Sequence, residues 1–164
     1  MKGLRLALWT GLSAAVQLLL AGRVLGLTPP LLPGLIYSIG AWHGAQYGAA
    51  CGFLGGILLG LGGSGPEVLP LLTLLGGGSG EVFHNTYGKW GRLFAGLPAL
   101  AVYEGILTLG HGLTGAGLAA VPLGAAEWLM AAVGLVLAWL ILGGHRPRRK
   151  ERRTWNRIGT GFGA

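Results

Sequence analysis

The sequence predicts an all-α integral membrane protein, a compact bundle of about six transmembrane helices. Only 10% of the 164 residues are charged and 52% are hydrophobic, whereas a soluble domain carries about 25% charged residues because its surface faces water. The mean hydropathy is +0.62. Apolar stretches recur along the chain between breaks rich in Gly and Pro, as in proteins that cross lipid. We therefore expect one membrane domain, residues 1–144, followed by a basic tail, residues 145–164.

Six apolar segments are predicted to form the helices. The first follows a short basic start, and Leu19-Leu20-Ala21-Gly22 supplies no cleavage pattern, which favours a retained membrane helix over a signal peptide. The second is short for a span and the fourth is weakened by glycines, so whether these two cross the membrane fully stays open. The segments, in order, are Leu6–Ala21, Leu31–Trp42, Gly44–Leu61, Val68–Phe83, Leu93–Leu109 and Val121–Ile141.

The charges between the segments predict the orientation. With six spans and both termini inside, the even-numbered connections and the termini face the cytoplasm. Lys2, Arg5, Lys89, Arg92 and the basic tail then share the inner side, as the positive-inside rule requires, and Arg23 is the exception. We expect a multi-pass protein of the bacterial cytoplasmic membrane with both termini in the cytoplasm.

The basic tail follows directly after an apolar segment. In that position each Lys or Arg gains about 1 kcal/mol from anionic lipid headgroups, so anionic lipids are expected partners. Nucleic acid is not, because the basic residues are gathered beside the membrane and not spread over a domain surface. The residues expected to contact headgroups are Arg146, Arg148, Arg149, Lys150, Arg152 and Arg153.

Small residues recur every four positions in two segments. Residues four apart share one helical face, and small residues let transmembrane helices approach closely. Chance runs in a glycine-rich chain are the alternative, but five glycines separated by four consecutive four-residue steps in the third segment favour a packing face. These faces are expected to pack helices or bind a partner, and homodimerisation is left open. The residues are Gly44, Gly48, Gly52, Gly56 and Gly60 in the third segment and Ala7, Gly11 and Ala15 in the first.

No combination of residues in the sequence predicts an enzyme. The G-x-G-x-x-G match at 60–65 follows an apolar segment and ends at a proline, so it lacks the strand-turn-helix context of a dinucleotide site. The four histidines are far apart and have no Cys or Asp at ligand spacing. We therefore expect no catalytic residue, no metal and no cofactor.

Two glutamates lie inside apolar segments, Glu104 in the fifth and Glu127 in the sixth. A charge within a span costs about 2.5–3.5 kcal/mol on insertion scales, so it normally faces the bundle interior or a water-filled cavity. Both fall in the outer half of the membrane in the predicted topology. They indicate either a polar outer-leaflet pocket with Tyr103 and Trp128, or carboxyl groups satisfied by neighbouring donors that only fix helix packing.

The layout from Pro30 to Arg153 resembles the rod shape-determining protein MreD family. The resemblance rests on the short proline-flanked second segment and on Gly52-Phe-Leu-Gly-Gly56-Ile-Leu-Leu-Gly60, followed by the turn Gly62-Gly-Ser-Gly-Pro66. Members commonly have Gly-Phe-x-x-Gly-Leu-x-x-Asp there, so Gly60 replaces an acidic residue.

The resemblance implies a non-enzymatic scaffold or regulatory subunit of the bacterial cell-elongation machinery. Such proteins bind MreC, a single-span protein, and so are linked indirectly to MreB and to RodA and penicillin-binding protein 2 type synthases. MreD is also similar in fold to the substrate-capture subunits of energy-coupling-factor vitamin transporters. A capture subunit is the alternative, because Ala7, Gly11 and Ala15 partly match the Ala-x-x-x-Ala docking pattern of its first helix. Few hydrogen-bonding side chains in the predicted outer loops disfavour it.

Overall fold

The computed structural model describes residues 2–20, 31–62, 65, 67–84, 88–113 and 125–143. These residues form six α-helices and no strand, which confirms the all-α class. The helices are α1 (Lys2–Leu20), α2 (Leu31–His43), α3 (Ala45–Leu61), α4 (Val68–Phe83), α5 (Lys89–Leu113) and α6 (Ala125–Gly143).

The boundaries of α2, α3 and α4 follow the predicted segments to within one residue, whereas α1 and α5 begin earlier than predicted and α6 ends two residues later. α5 begins at Lys89, four residues before the predicted start, and the Arg92 N–H donates to the Gly88 carbonyl over 3.0 Å. A helix is defined by its backbone hydrogen bonds, which continue through Lys89 and Arg92. The predicted segment is defined by apolar side chains and so begins only after these two charged residues. α1 similarly begins at Lys2.

Within the described ranges, α1 alone combines the length and the apolar composition needed to cross a membrane. α3, α4 and the stretch Ala132–Leu142 are apolar but shorter. A signal sequence meets the same criteria as α1, so this helix by itself does not establish a membrane fold.

α2 is the central helix of the bundle. Every residue from Leu32 to Ala41 is buried, and the helix contacts each of the other five. Its sequence is apolar on all faces, and a helix of that kind is stable when neighbours cover it completely. The short second segment is therefore the core of the fold.

α3 and α4 form the closest pair, and glycines bring their backbones together. A Cβ added to Gly48 would overlap the Gly76 carbonyl oxygen, one added to Gly52 would overlap the Leu72 carbonyl oxygen, and one added to Gly56 would lie 2.5 Å from Leu69 Cα. Contacts this short exclude any larger residue without movement of a helix.

α1 packs on α2 and α3 through Leu6, Thr10, Ala14 and Gln17, all buried. Thr10 donates its hydroxyl hydrogen to the Leu6 carbonyl over 2.9 Å, and Gln17 Oε1 accepts the Leu32 N–H over 2.9 Å. The first N–H groups of a helix have no partner within it, so Gln17 satisfies one donor at the start of α2.

Candidate functional site

Positively charged and imidazole side chains gather at the end of the bundle where α1 and α5 begin and α2 and α4 end. We call Lys2, His43, His84 and Arg92 the cationic end. Burial lowers the pKa of His43, and the nearby Lys2 and His84 lower it further. His84 lies against α2, with Nδ1 3.3 Å from the Ala41 carbonyl oxygen. The cationic end therefore unites four helices at one face of the bundle.

Arg92 holds the cationic end together. Its Nη2 donates to the His84 carbonyl over 2.5 Å, and its Cζ lies 5.1 Å from the centroid of the Trp42 ring. The carbonyls that end a helix carry partial negative charge and lack partners within the helix. The guanidinium thus stabilises the C-terminus of α4 and also makes a cation–π contact with α2.

A groove of about 330 Å³ lies between α4 and α5. We call it the α4–α5 groove. Its walls are apolar apart from the hydroxyls of Ser79 and Tyr103. Ser79 Oγ lies 3.1 Å from the Tyr37 carbonyl oxygen and 3.0 Å from that of Gly76, so its hydrogen is directed to the backbone. The lining residues are Leu71, Leu74, Leu75, Gly78, Ser79, Val82, Phe83, Ala99, Val102, Tyr103 and Ile106.

The α4–α5 groove adjoins the cationic end. Phe83 lines the groove, and the next residue, His84, accepts the hydrogen bond from Arg92. The Phe83 ring centroid lies 5.8 Å from that of Tyr37, whose hydroxyl donates to the Arg92 carbonyl over 2.6 Å. The α4–α5 groove and Arg92 are therefore neighbours, linked through Phe83, His84 and Tyr37.

The predicted outer-leaflet pocket is described only in part. Tyr103 is buried and lines the α4–α5 groove, whereas Glu104, which is half-buried, does not line it. Glu127 and Trp128 belong to α6, but their side chains lie outside the described residues. The structure thus brings Tyr103 to a groove whose chemistry is apolar and not carboxylate-based.

The glycines predicted as one face on the third segment divide into two groups. Gly48, Gly52 and Gly56 contact α4 within the chain, so the helix that this small-residue face packs against is α4. Gly44 lies before α3, where its positive φ of 97° favours glycine. Gly60 is exposed, and a Cβ there would meet nothing within 4 Å. The face therefore ends one turn before the helix does.

The small residues of α1 lie away from its buried face. Ala15 is exposed, Ala7 and Gly11 are half-buried, and a Cβ on Gly11 would meet nothing within 4 Å. A stripe of small residues is therefore accessible along α1, next to the buried stripe of Leu6, Thr10, Ala14 and Gln17.

Two polar contacts that organise the bundle were not predicted from the sequence, those of Gln17 and Ser79. A polar residue within an apolar segment is the signal that could have found them, because such residues normally face the bundle interior.

The six basic residues predicted to bind headgroups, Arg146 to Arg153, lie outside the described residues. Among the residues that are described, no three of His, Cys, Asp and Glu are grouped so as to hold a metal ion.

Comparison of the chain with protein-family models, with curated proteins and with solved structures found no match.

Proposed function

We propose that the protein is a non-enzymatic membrane scaffold whose helical bundle binds a partner helix along α1. The observation that carries the membrane location is the apolar exterior. Leu61 is 82% exposed, Leu4 71% and Leu74 70%, and large hydrophobic side chains are exposed on α1, α3, α4, α5 and α6 alike. Monomeric soluble proteins rarely expose contiguous apolar patches larger than a few hundred Å², whereas lipid covers such a surface without cost.

The interior also supports this location because, beside its core of larger apolar side chains, it holds buried polar residues and glycines at helix contacts. The buried polar side chains are Thr10, Gln17, Ser38 and Ser79, and their hydroxyl or amide groups contact backbone groups. Small residues and interhelical hydrogen bonds are what hold helices together where no hydrophobic force acts between them. Glycines at the helix contacts and large apolar side chains on the exterior are the arrangement expected in lipid.

The proposed orientation places the cationic end at the cytoplasmic face. Lys2, His43, His84 and Arg92 meet at that end of the bundle, while Glu67 precedes α4 at the opposite end. The positive-inside rule assigns such a basic end to the cytoplasm. The proposed location is therefore the bacterial cytoplasmic membrane, with the N-terminus inside.

The scaffold role combines the MreD resemblance with the accessible stripe on α1. Close backbone approach makes small-residue faces suited to a second transmembrane helix, and Ala7, Gly11 and Ala15 present such a face while the face on α3 is occupied by α4. We propose that an MreC-like single-span protein docks there. Through it the bundle would be linked to MreB and to RodA and penicillin-binding protein 2 type synthases.

A capture subunit of an energy-coupling-factor vitamin transporter is the second candidate, and the same α1 stripe favours it. Its energising partner would use that stripe for docking. The α4–α5 groove disfavours this candidate because a vitamin needs several convergent polar groups, and among the described residues the groove supplies only the Ser79 and Tyr103 hydroxyls.

Co-purification from native membranes tests both candidates. The partner recovered with the wild-type chain is compared with that recovered with Gly11→Leu and with the matched control Gly60→Leu. Both glycines are helical with open space at Cβ, so neither change should disturb the fold. We expect an MreC-like protein with wild type and with the control, and about tenfold less with Gly11→Leu, a loss equivalent to about 1.4 kcal/mol. Recovery of an ATPase module or a bound vitamin would favour the transporter.

A further inference from the structure

We propose that the α4–α5 groove and the cationic end together bind one anionic phospholipid, with an acyl chain in the groove and the phosphate at Arg92 and His84. This inference rests on the membrane location proposed above and is independent of the scaffold role. The binding surface is distinct from the α1 stripe.

The size and lining of the groove favour an acyl chain over a helix. A ten-residue helix, about 15 Å long and 10–12 Å across, occupies more than about 1,000 Å³, several times the 330 Å³ of the groove. A whole helix is therefore too wide to lie inside the groove and would reach into it only with side chains, whereas a single acyl chain is narrow enough to lie along it. Polar ligands are disfavoured because burying an unpaired polar group is costly, and Ser79 already directs its hydroxyl to backbone carbonyls.

Charge complementarity at the adjoining end selects an anionic headgroup. Phe83 lines the groove and His84 is the next residue, whose carbonyl accepts a hydrogen bond from the positively charged Arg92 guanidinium. Lys2 lies near His43 and adds a second positive charge at this end of the bundle. Arginine is well suited to phosphate because its planar guanidinium presents several donors. The nearby acidic residue on α4, Glu81, is exposed and does not line the groove. A zwitterionic lipid would place its own cation beside these groups and bind less well.

Trp42 adds a second contact suited to a lipid at this depth. Its ring lies under the Arg92 guanidinium, with 5.1 Å between Cζ and the ring centroid. Tryptophan is enriched at membrane–water interfaces, where headgroups lie. The end of the groove therefore lies at the level where a phosphate would be found if its acyl chain entered between α4 and α5.

Native mass spectrometry of the full chain in detergent tests the proposal with four samples. The probes are dioleoylphosphatidylglycerol, dioleoylphosphatidylcholine and inorganic phosphate. Gly78→Leu would fill the groove without a clash, because Gly78 lines the groove and has open space at Cβ; Gly60→Leu is the matched control. Arg92→Gln removes the charge.

We expect one phosphatidylglycerol per wild-type chain, bound about tenfold more tightly than phosphatidylcholine, a difference of about 1.4 kcal/mol. Gly78→Leu should weaken both lipids about tenfold, Gly60→Leu neither, and Arg92→Gln should remove the preference between them. Equal binding of the two lipids to wild type, unchanged binding to Gly78→Leu, or retention of inorganic phosphate as tightly as lipid would each overturn the proposal. If Arg92→Gln does not fold, the comparison of Gly78→Leu with its control Gly60→Leu still tests whether a lipid binds in the groove, and the comparison of the two lipids on wild type still tests the preference for an anionic headgroup.

A photo-crosslinking residue at Leu74 identifies the occupant in native membranes. Leu74 lines the groove and is exposed, so a crosslink reports what lies there. An adduct enriched in anionic phospholipid relative to the membrane as a whole supports the proposal, and an adduct with the bulk lipid composition overturns it. An adduct with a second copy or with another protein, or no adduct, overturns it. Recovery of the chain in the soluble fraction after cell lysis would instead contradict the proposed membrane location. This result distinguishes failure of the membrane location from failure of the lipid-binding proposal.

Discussion

At the scale of single residues, buried polar side chains connect neighbouring helices through their backbone groups. Gln17 reaches from α1 to the first turn of α2, and Ser79 reaches from α4 to the Tyr37 carbonyl. In a low-dielectric interior such a hydrogen bond is strong, and leaving one partner unsatisfied is costly. These hydrogen bonds therefore specify the relative positions of neighbouring helices, which non-directional apolar contacts alone would not specify.

Replacement of Gln17 by Leu should destabilise the bundle by about 1–3 kcal/mol, because the buried Leu32 N–H loses its acceptor. Ser13→Ala, on the same helix and half-buried, serves as the control and should change stability little. Thermal or denaturant unfolding of both variants in detergent measures the difference. Wild-type stability of Gln17→Leu would show that this N–H does not depend on Gln17.

The folded protein should lose stability as the pH falls below about 6.5. Burial, Lys2 and His84 lower the pKa of His43 in the folded state from its ordinary value of 6.5, so the unfolded chain binds a proton more readily. The contribution of neutral His43 is complete above pH 6.5 and is lost as the pH falls towards the lower folded pKa. Unfolding of wild type and of His43→Gln at pH 7.5 and 5.5 measures it, and an equal pH dependence of both proteins would contradict the assignment.

At the scale of elements, the antiparallel contact between α3 and α4 depends on glycine on both sides. Gly48 and Gly52 of α3 face Gly76 and the Leu72 carbonyl of α4, and a Cβ on Gly80 would overlap the Ala45 backbone nitrogen. Two backbones this close gain dispersion contacts that larger residues would prevent. α3 and α4 have no large side chains between them at this contact, so dispersion contacts between their closely spaced backbones hold them together.

Gly52→Leu should disrupt the bundle, because the added side chain would overlap the Leu72 carbonyl and the Thr73 Cα. Overpacking destabilises ordinary cores by about 1–3 kcal/mol. We expect Gly52→Leu to destabilise the bundle by at least the upper value, because the atoms it would overlap belong to helix backbone, which cannot move aside as a flexible side chain can. Gly60→Leu makes the same chemical change in open space on the same helix. The yield of folded protein from membranes and its thermal unfolding compare the two variants. Equal behaviour of both would show that the α3–α4 contact tolerates separation.

At the scale of the whole molecule, the apolar exterior and the cationic end act together. Exposed leucines surround the bundle while Lys2, His43, His84 and Arg92 meet at one end. In the proposed location, lipid would cover the sides of the bundle and the basic end would stay on the cytoplasmic side. The arrangement is the physical basis of the proposed location.

A reporter that is active only outside the cytoplasm tests the orientation. Fused after Ala164 it should be inactive, and inserted at Gly65, between α3 and α4, it should be active, because an even number of spans returns the chain to the inner side. Activity per expressed molecule is the measurement. An active fusion at Ala164, or an inactive one at Gly65, would contradict the six-span topology.

The all-α class and the bounds of α2, α3 and α4 could be predicted from the sequence, because hydropathy and Gly and Pro breaks act locally along the chain. α2, α3 and α4 begin and end within one residue of the predicted segments. The four-residue glycine spacing also indicated a face, since helical periodicity is a local property.

The tertiary structure alone decided what each face contacts. Gly48 and Gly56 meet α4 while Gly60 meets nothing, although all three share one sequence pattern. The central position of α2, the link from Gln17 to Leu32 and the junction of the α4–α5 groove with Arg92 all join residues distant in the chain. Such contacts depend on how the helices pack in three dimensions, and the spacing of residues along one helix carries no information about the helix it will meet.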